Sequence, residues 1–319
     1  MRILTDAAVR RLQVITELPD LTHTKYEILE ILGRGGMGTV YVARDRELDR
    51  LVALKIVATP TGLHSTERLV REAKILARLE HPGIVPVHDV GLVPDGRTFY
   101  TMKLVRGRRL DEAVQDSATL AERLQVFERI CEAVAFAHAH GVIHRDLKPE
   151  NVMVGPFGEV LVMDWGVAKM TAADEPRDGP TRDESPESTG QTGSGAVLGT
   201  PGYMAPEQAK GDTSSADERS DVYALGAILQ FLLASGAAVP RPLEAVAKMA
   251  MAVAPEDRYQ RVELLATDIA RFRDGLAVAA YPEGLLDRAL RIGAKYRIAV
   301  ALVLAYVFMR LLMLVIAKD

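Results

Sequence analysis

The residues His144, Arg145, Asp146, Leu147, Lys148, Pro149, Glu150 and Asn151 put a carboxylate, an ammonium and a side-chain amide into one short stretch of chain. Asp146 is able to accept a proton from an attacking hydroxyl, Lys148 to neutralise a phosphate oxygen, and Asn151 to offer a carbonyl oxygen to a hard cation such as Mg²⁺. That combination suits phosphoryl transfer, in which positioning and charge neutralisation supply most of the rate. A second carboxylate, Asp164, follows the apolar run ending at Met163, a placement suited to a metal ligand. A lone lysine, Lys55, interrupts the apolar run from Leu51 to Val57 and needs an anionic partner if it is turned inward.

Neighbouring elements must position these groups. Tyr26 to Leu32 is strand-like and leads into Gly33-Arg34-Gly35-Gly36-Met37-Gly38-Thr39-Val40. Glycines at this spacing let backbone amides approach phosphates closely. Thr39 to Ala43 reads as another strand rather than a helix, so the loop is a hairpin over a nucleotide and does not open a dinucleotide-binding unit. Leu51 to Val57 is a third strand. Leu69, Val70, Ala73, Leu76 and Ala77 recur at helical spacing within a helix from Ser65 to Leu79. Glu72, in its middle, is the best candidate to pair with Lys55, with Glu67 and Glu80 as alternatives. Strands are expected from Ile84 to Val93 and from Phe99 to Val105. A long helix from Leu120 to His140 delivers the polar stretch, and a short hairpin of Val152–Val154 with Glu159–Met163 follows it. His138 and His140 read as capping or core residues, because no third metal ligand is near.

Residues 171–196 are rich in Asp, Glu, Pro, Gly, Ser and Thr, a composition unable to bury a core. Order is expected to return at Leu198 and to run through Ala205-Pro206-Glu207. Glu207 needs a buried partner, and Arg258 is the candidate. Asp221 opens an apolar helix from Val222 to Leu233 and suits its N-cap.

The strings G-x-G-x-x-G-x-V, V-A-L-K with Leu54 for the usual Ile, H-R-D-L-x-x-x-N, D-W-G with Trp165 for the usual Phe, and A-P-E occur in this order. Over residues 26–274 the chain resembles the Hanks-type protein kinases, and specifically the bacterial membrane-anchored serine/threonine kinases. The resemblance implies an α+β, two-lobe protein kinase fold. A small β-rich N-lobe would span residues 26–105 and a mainly helical C-lobe residues 106–274, after an N-terminal extension of residues 1–25. It implies ATP held by Gly33, Arg34, Gly35, Gly36, Met37, Gly38, Val40 and Ala53, with Met102 lining the adenine pocket and Lys103 to Val105 offering backbone hydrogen bonds. Lys55 would hold the α- and β-phosphates and Glu72 would fix Lys55. Asp146 would be the catalytic base, Lys148 would contact the γ-phosphate as in the serine/threonine subclass, and Asn151 and Asp164 would bind Mg²⁺. Substrates would be protein Ser/Thr hydroxyls. Arg145 resembles the class switched by activation-segment phosphorylation, with Thr189, Thr192 and Ser194 as candidate autophosphorylation sites and Thr200 beside the substrate hydroxyl.

One departure concerns docking. After Ser235 the segment Gly236 to Pro242 runs almost directly into the next helix, so the family's substrate-docking helix is missing or shortened. A kinase-like scaffold that binds nucleotide or partners without efficient phosphorylation is the rival expectation.

Composition sets the remaining bounds. The 319 residues are 48% hydrophobic and 26% charged, enough for a real core. The net charge of −4 gives no basic excess pointing to nucleic acid. The single cysteine, Cys131, excludes an intramolecular disulfide framework and fits a core position. Asp6, Arg10, Arg11 and Glu17 interrupt any secretory signal. Ile298 to Ile316 is apolar apart from Arg310, and its roughly 19 residues would extend roughly 28 Å as a helix, close to a bilayer core. Its apolar residues are worth roughly −4 to −7 kcal/mol of insertion against about +2.5 to +3.5 kcal/mol for the arginine. Arg288, Arg291, Lys295 and Arg297 lie in a basic juxtamembrane segment, residues 275–297, so the expectation is a single-pass helix at residues 298–316 in the cell inner membrane, kinase side cytoplasmic. A homodimer would allow autophosphorylation between molecules.

Overall fold

The computed structural model describes residues 19–35, 38–57, 73–74, 76–114, 119–165, 202–209, 217–234 and 239–316. The N-terminal part is a five-stranded antiparallel sheet: β1 (Tyr26–Gly35), β2 (Gly38–Asp45), β3 (Arg50–Val57), β4 (Val87–Leu92) and β5 (Thr98–Lys103), in the order β1-β2-β3-β5-β4. The β-branched and aromatic residues that favour a pleated, half-buried surface also fill its core. Tyr26, Tyr41, Val52, Leu54, Ile56 and Phe99 form one buried cluster on this sheet. Gly38 closes the β1–β2 hairpin at φ 137°, and a Cβ there would lie 2.0 Å from the carbonyl oxygen of Ile56. No other residue fits.

A second, three-stranded sheet of β6 (Arg108–Arg109), β7 (Val152–Val154) and β8 (Val160–Val162) lies at the start of the helical part. An isolated parallel bridge joins Val162 of β8 to Ile84, in the segment that leads into β4. The helices are α1 (Leu110–Ala113), α2 (Leu120–Ala139), α3 (Pro206–Ala209), α4 (Glu218–Ala234), α5 (Arg241–Ala250), α6 (Val262–Arg273), α7 (Leu285–Lys295) and α8 (Arg297–Ile316). Thr119 and Glu122 make a reciprocal capping box that starts α2. From there Leu124, Phe127, Ile130, Cys131 and Val134 bury one stripe of the helix against α4 and α6. Cys131 is fully buried, as its apolar setting requires.

The sequence-expected two-lobe α+β architecture is what the chain adopts, with adjustments at element ends. Asp221 is not the N-cap of α4: the helix begins at Glu218, which puts Asp221 in its first turn, where the carboxylate turns to the preceding loop. Most of the expected helix from Ser65 to Leu79, including Glu72, lies outside the described residues. So do Gly36, Met37, Thr189, Thr192, Ser194 and Thr200. Helix α4 ends at Ala234 and α5 begins at Arg241, which leaves no length for an intervening helix of ordinary size.

The pairing expected for Glu207 forms. Arg258 Nη1 and Nη2 donate to Glu207 Oε1 and Oε2, both at 2.8 Å, and the guanidinium also reaches the carbonyls of Arg219, Ala252 and Val253. The Arg258 side chain has no exposed surface. Removing its anion leaves a buried charge without its partner, so Glu207→Ala is expected to lower unfolding free energy by about 3–5 kcal/mol. A denaturant titration showing less than about 1 kcal/mol would contradict this reading of the pair.

Helix α8 forms where the apolar tail was expected, and Ile298, Leu302, Val303, Leu304, Phe308 and Met309 on it are exposed. The expected membrane span is nevertheless not supplied: among the described residues no helix is long and apolar enough to cross a membrane. Within this helix the Arg310 guanidinium bonds the Tyr306 hydroxyl.

Candidate active site

The polar stretch sits directly after α2 because Gly141, at φ 74°, lets the chain turn back beneath the sheet. His144 is fully buried. Burial lowers its pKa below the usual histidine range, so the neutral ring donates from Nε2 to the carbonyl of Met163 at 2.9 Å. Its ring packs on Trp165 at 4.7 Å between centroids, and Trp165 Nε1 donates to the carbonyl of Val162. The tryptophan thus fills the place of the usual phenylalanine with its own polar atom satisfied.

Two residues of the site are held at positive φ, Arg145 at 64° and Asp164 at 53°. Such conformations cost about 1–3 kcal/mol each and persist where surrounding bonds enforce them. For Arg145 the enforcing group is Asp221. Its Oδ1 accepts the Arg145 amide at 2.8 Å and its Oδ2 the His144 amide at 2.7 Å. Oδ2 also accepts His138 Nε2 at 2.8 Å. His138 therefore braces the loop through Asp221 and is a core residue, as its sequence context suggested.

This pair has a pH signature. Burial alone would lower the pKa of His138, but the bond to Asp221 and the neighbouring Glu218 more than offset it and raise the value above its ordinary one. A raised folded-state pKa gives stability that is fully present below the unfolded value of about 6.5 and is lost as pH climbs through the folded one. The stability gap between wild type and His138→Gln is expected to be larger at pH 6 than at pH 8.5. A gap unchanged across that range would contradict a charged His138.

Asp146 follows. Asn151 Nδ2 donates to the Asp146 carbonyl at 2.7 Å and lies 3.4 Å from Asp146 Oδ2, while Lys148 Nζ is 3.3 Å from the same oxygen. One carboxylate oxygen is thus flanked by an amide and an ammonium. The Asn151 carbonyl oxygen is left for another ligand. Across the cleft, Lys55 Nζ donates to Asp164 Oδ1 at 2.6 Å. Burial would lower the lysine's pKa, but Tyr100 and Asp164 overcome that and raise it. The sequence reading assigned Lys55 to Glu72. The observed partner is Asp164, and Glu72 lies outside the described residues.

These groups face one cleft of about 710 Å³. Gly33, Arg34, Gly35, Gly38 and Val40 roof it, Ala53, Lys55, Met102, Lys103 and Val105 form its back and edge, and Asp146, Lys148, Asn151 and Asp164 its floor. Every expected site residue that is described lines this space, and Leu32, Leu104, Gly107, Arg109, Glu150, Met153 and Met163 line it too. Met153 on β7 and Met163 just after β8 were legible in principle, each lying within two positions of an expected metal ligand. Arg109 had no such signal. A carboxylate and an amide carbonyl on one floor are hard oxygen donors, which fits a divalent cation held jointly with phosphate oxygens. Among the described residues no cluster of three or more His, Cys, Asp or Glu is found.

The protein kinase domain family matches residues 26–276. The chain belongs to the protein kinase family. It is 39% identical over 233 residues to the serine/threonine-protein kinase PknD of Chlamydia muridarum, covering 66% of this chain and 24% of the relative. It is 33% identical over 301 residues to the PknD of Chlamydia trachomatis serovar D, covering 79% of this chain and 32% of that one. The chain thus spans about a quarter to a third of the length of the curated relatives it matches. Among solved structures, the Mycobacterium tuberculosis PknI kinase domain superposes with a TM-score of 0.57 at 25% identity, covering 78% of this chain and 96% of that one. Membership of the family accounts for the order of motifs along the chain. It also gives the cleft its general ligands, a nucleoside triphosphate and a divalent metal.

Proposed function

We propose that this chain is a serine/threonine protein kinase that transfers the γ-phosphate of ATP, as the Mg²⁺ complex, to Ser/Thr hydroxyls of proteins. The observation carrying this reading is the floor of the cleft, where Asp146 Oδ2 stands beside Lys148 and Asn151 while Asp164 stands across from it on Lys55. Asp146 accepts the proton of the acceptor hydroxyl. Lys148 keeps that carboxylate oriented and meets negative charge growing on the transferred group. Lys55 positions the phosphates from the sheet side. Asn151 and Asp164 hold the cation, which when bound neutralises phosphate charge. Incubation of the purified protein with labelled ATP and Mg²⁺ tests this: phosphate on Ser/Thr, abolished by a chelator and restored by Mg²⁺, is the expected result.

Autophosphorylation of the activation segment belongs to the same reading. Arg145 Nε is buried with no hydrogen-bond partner among the described residues. A phosphate from that segment would supply one. Transfer between two copies would make a homodimer the productive form.

A second reading, a nucleotide-binding scaffold, is favoured by one observation, the direct passage from α4 to α5. Phosphate on the chain itself but on no added protein would support it.

For the tail, we infer attachment to the cytoplasmic face of the inner membrane. The exposed apolar side chains of α8, following the basic residues Arg288 and Arg291, support this. Flotation of the full chain with anionic vesicles, lost when residues after Arg297 are deleted, is the expected outcome. A chain that stays in the aqueous fraction overturns it.

A further inference from the structure

The chain between α6 and α7 is pinned to the helical lobe. Asp268, buried on α6, accepts the amides of Ala279 and Ala280 at 2.8 and 3.0 Å and the Tyr259 hydroxyl at 2.8 Å. Val278 enters the core. Helix α7 is held in turn. The Tyr281 hydroxyl donates to Asp287 at 2.9 Å. Arg291 Nε and Nη2 donate to the Glu283 carboxylate at 2.6 and 2.9 Å, and its Nη1 donates to the carbonyl of Gly275 at 3.1 Å. Asp287 and Arg291 stand four residues apart and share one face of the helix. That face is turned toward the rest of the chain.

The opposite face is apolar. Leu285, Ala289 and Ile292 follow the i, i+4, i+7 spacing of a single stripe, with Leu286 beside them. Leu285 is 88% and Leu286 81% exposed, and Ala289 and Ile292 are exposed as well. A surface helix of a globular domain turns its apolar stripe to the core and its charges to water. Helix α7 does the reverse, and the bonds of Asp287 and Arg291 keep it from turning over.

Two observations say what covers this face. From Leu285 to Arg297 the sequence holds four basic residues, Arg288, Arg291, Lys295 and Arg297, against one acidic residue, Asp287. Two copies of α7 placed face to face would bring like charges together, whereas an anionic lipid surface attracts them. In addition, α8 begins two residues after α7 ends, and its side chains from Ala301 to Arg310 are exposed around the whole circumference. A protein groove covers one side of such a helix, whereas lipid surrounds it. We propose that α7 lies in the plane of an anionic lipid surface, with Leu285, Leu286 and Ile292 sunk into the boundary between headgroups and acyl chains and Arg288 among the headgroups. This rests on the membrane reading of the tail and goes beyond it by placing α7, and not α8 alone, in contact with lipid.

The test uses the full chain with a nitroxide attached at Leu286→Cys. Cys131 is buried and does not compete for the label. A second preparation, labelled at Leu48→Cys in the exposed turn between β2 and β3, is the control. Collisions of each label with oxygen and with a water-soluble nickel chelate are measured before and after adding vesicles of phosphatidylglycerol and phosphatidylcholine. With vesicles, the label at 286 is expected to lose most of its collisions with the chelate and to gain collisions with oxygen, as at a depth of about 5–10 Å. The label at 48 is expected to change in neither. A chain that floats with the vesicles while its label at 286 stays as open to the chelate as the label at 48 overturns the proposal and leaves attachment through α8 standing. A label at 286 that is shielded without vesicles and released on dilution shows a second copy on this face and overturns it too. A chain that does not float at all removes the membrane reading, and this proposal with it.

Discussion

Asp146→Asn is expected to lower the turnover of phosphate transfer by about 10²–10⁴-fold, the usual contribution of a positioned general base, while leaving Mg·ATP affinity near that of wild type. The separation follows from the geometry. An asparagine at 146 keeps an oxygen for Lys148 Nζ, 3.3 Å away, and the shorter bond of the Asn151 amide, at 2.7 Å, goes to the backbone carbonyl, with a longer one of 3.4 Å to the side chain. The scaffold of the floor therefore survives, and only the ability to take a proton is lost. Steady-state kinetics alongside calorimetry check it. A variant that loses ATP affinity in step with turnover would place Asp146 in binding rather than in proton transfer.

Lys55→Met is expected to fail in a different way, with kcat/KM for ATP falling by at least about two orders of magnitude as phosphate positioning is lost. Methionine replaces the alkyl stem of the lysine on the face of the strand that carries the buried Ala53 and Val57. The fold should persist, because Asp164, left without its partner, is one-third exposed and can be solvated. A thermal melt near that of wild type together with lost transfer is the expected pair of results. Transfer at the full rate would remove Lys55 from the site.

Much of this was legible because the chemistry demands residue types at fixed spacing. Asp146, Lys148 and Asn151 lie so close in sequence that one turn, braced by Asp221, and a short 3-10 segment bring them together. The Glu207–Arg258 pair was also legible, since a carboxylate beside a buried segment needs a cation and Arg258 follows a compatible turn. What escaped depends on distant register. Tyr100 reads as one more strand aromatic until β5 is aligned on β3, where it stands opposite Lys55. The lysine's observed partner escaped for the same reason: Asp164 is over a hundred residues away in sequence, and its approach at 2.6 Å follows from the left-handed turn at that residue. For the tail, a helix forms from Arg297 to Ile316, while among the described residues no helix is long and apolar enough to cross a membrane.

The central claim is that the cleft floor transfers phosphate, and one assay addresses it most directly. Full-length wild type and Asp146→Asn, at matched concentration and with matched melts, are incubated with γ-labelled ATP, Mg²⁺ and a generic basic protein substrate. Label is then counted on phosphoserine and phosphothreonine. The account predicts time-dependent label with the wild type and a loss of at least about a hundredfold with the variant. Equal label from both proteins, or none from a wild type that demonstrably binds ATP, would contradict it.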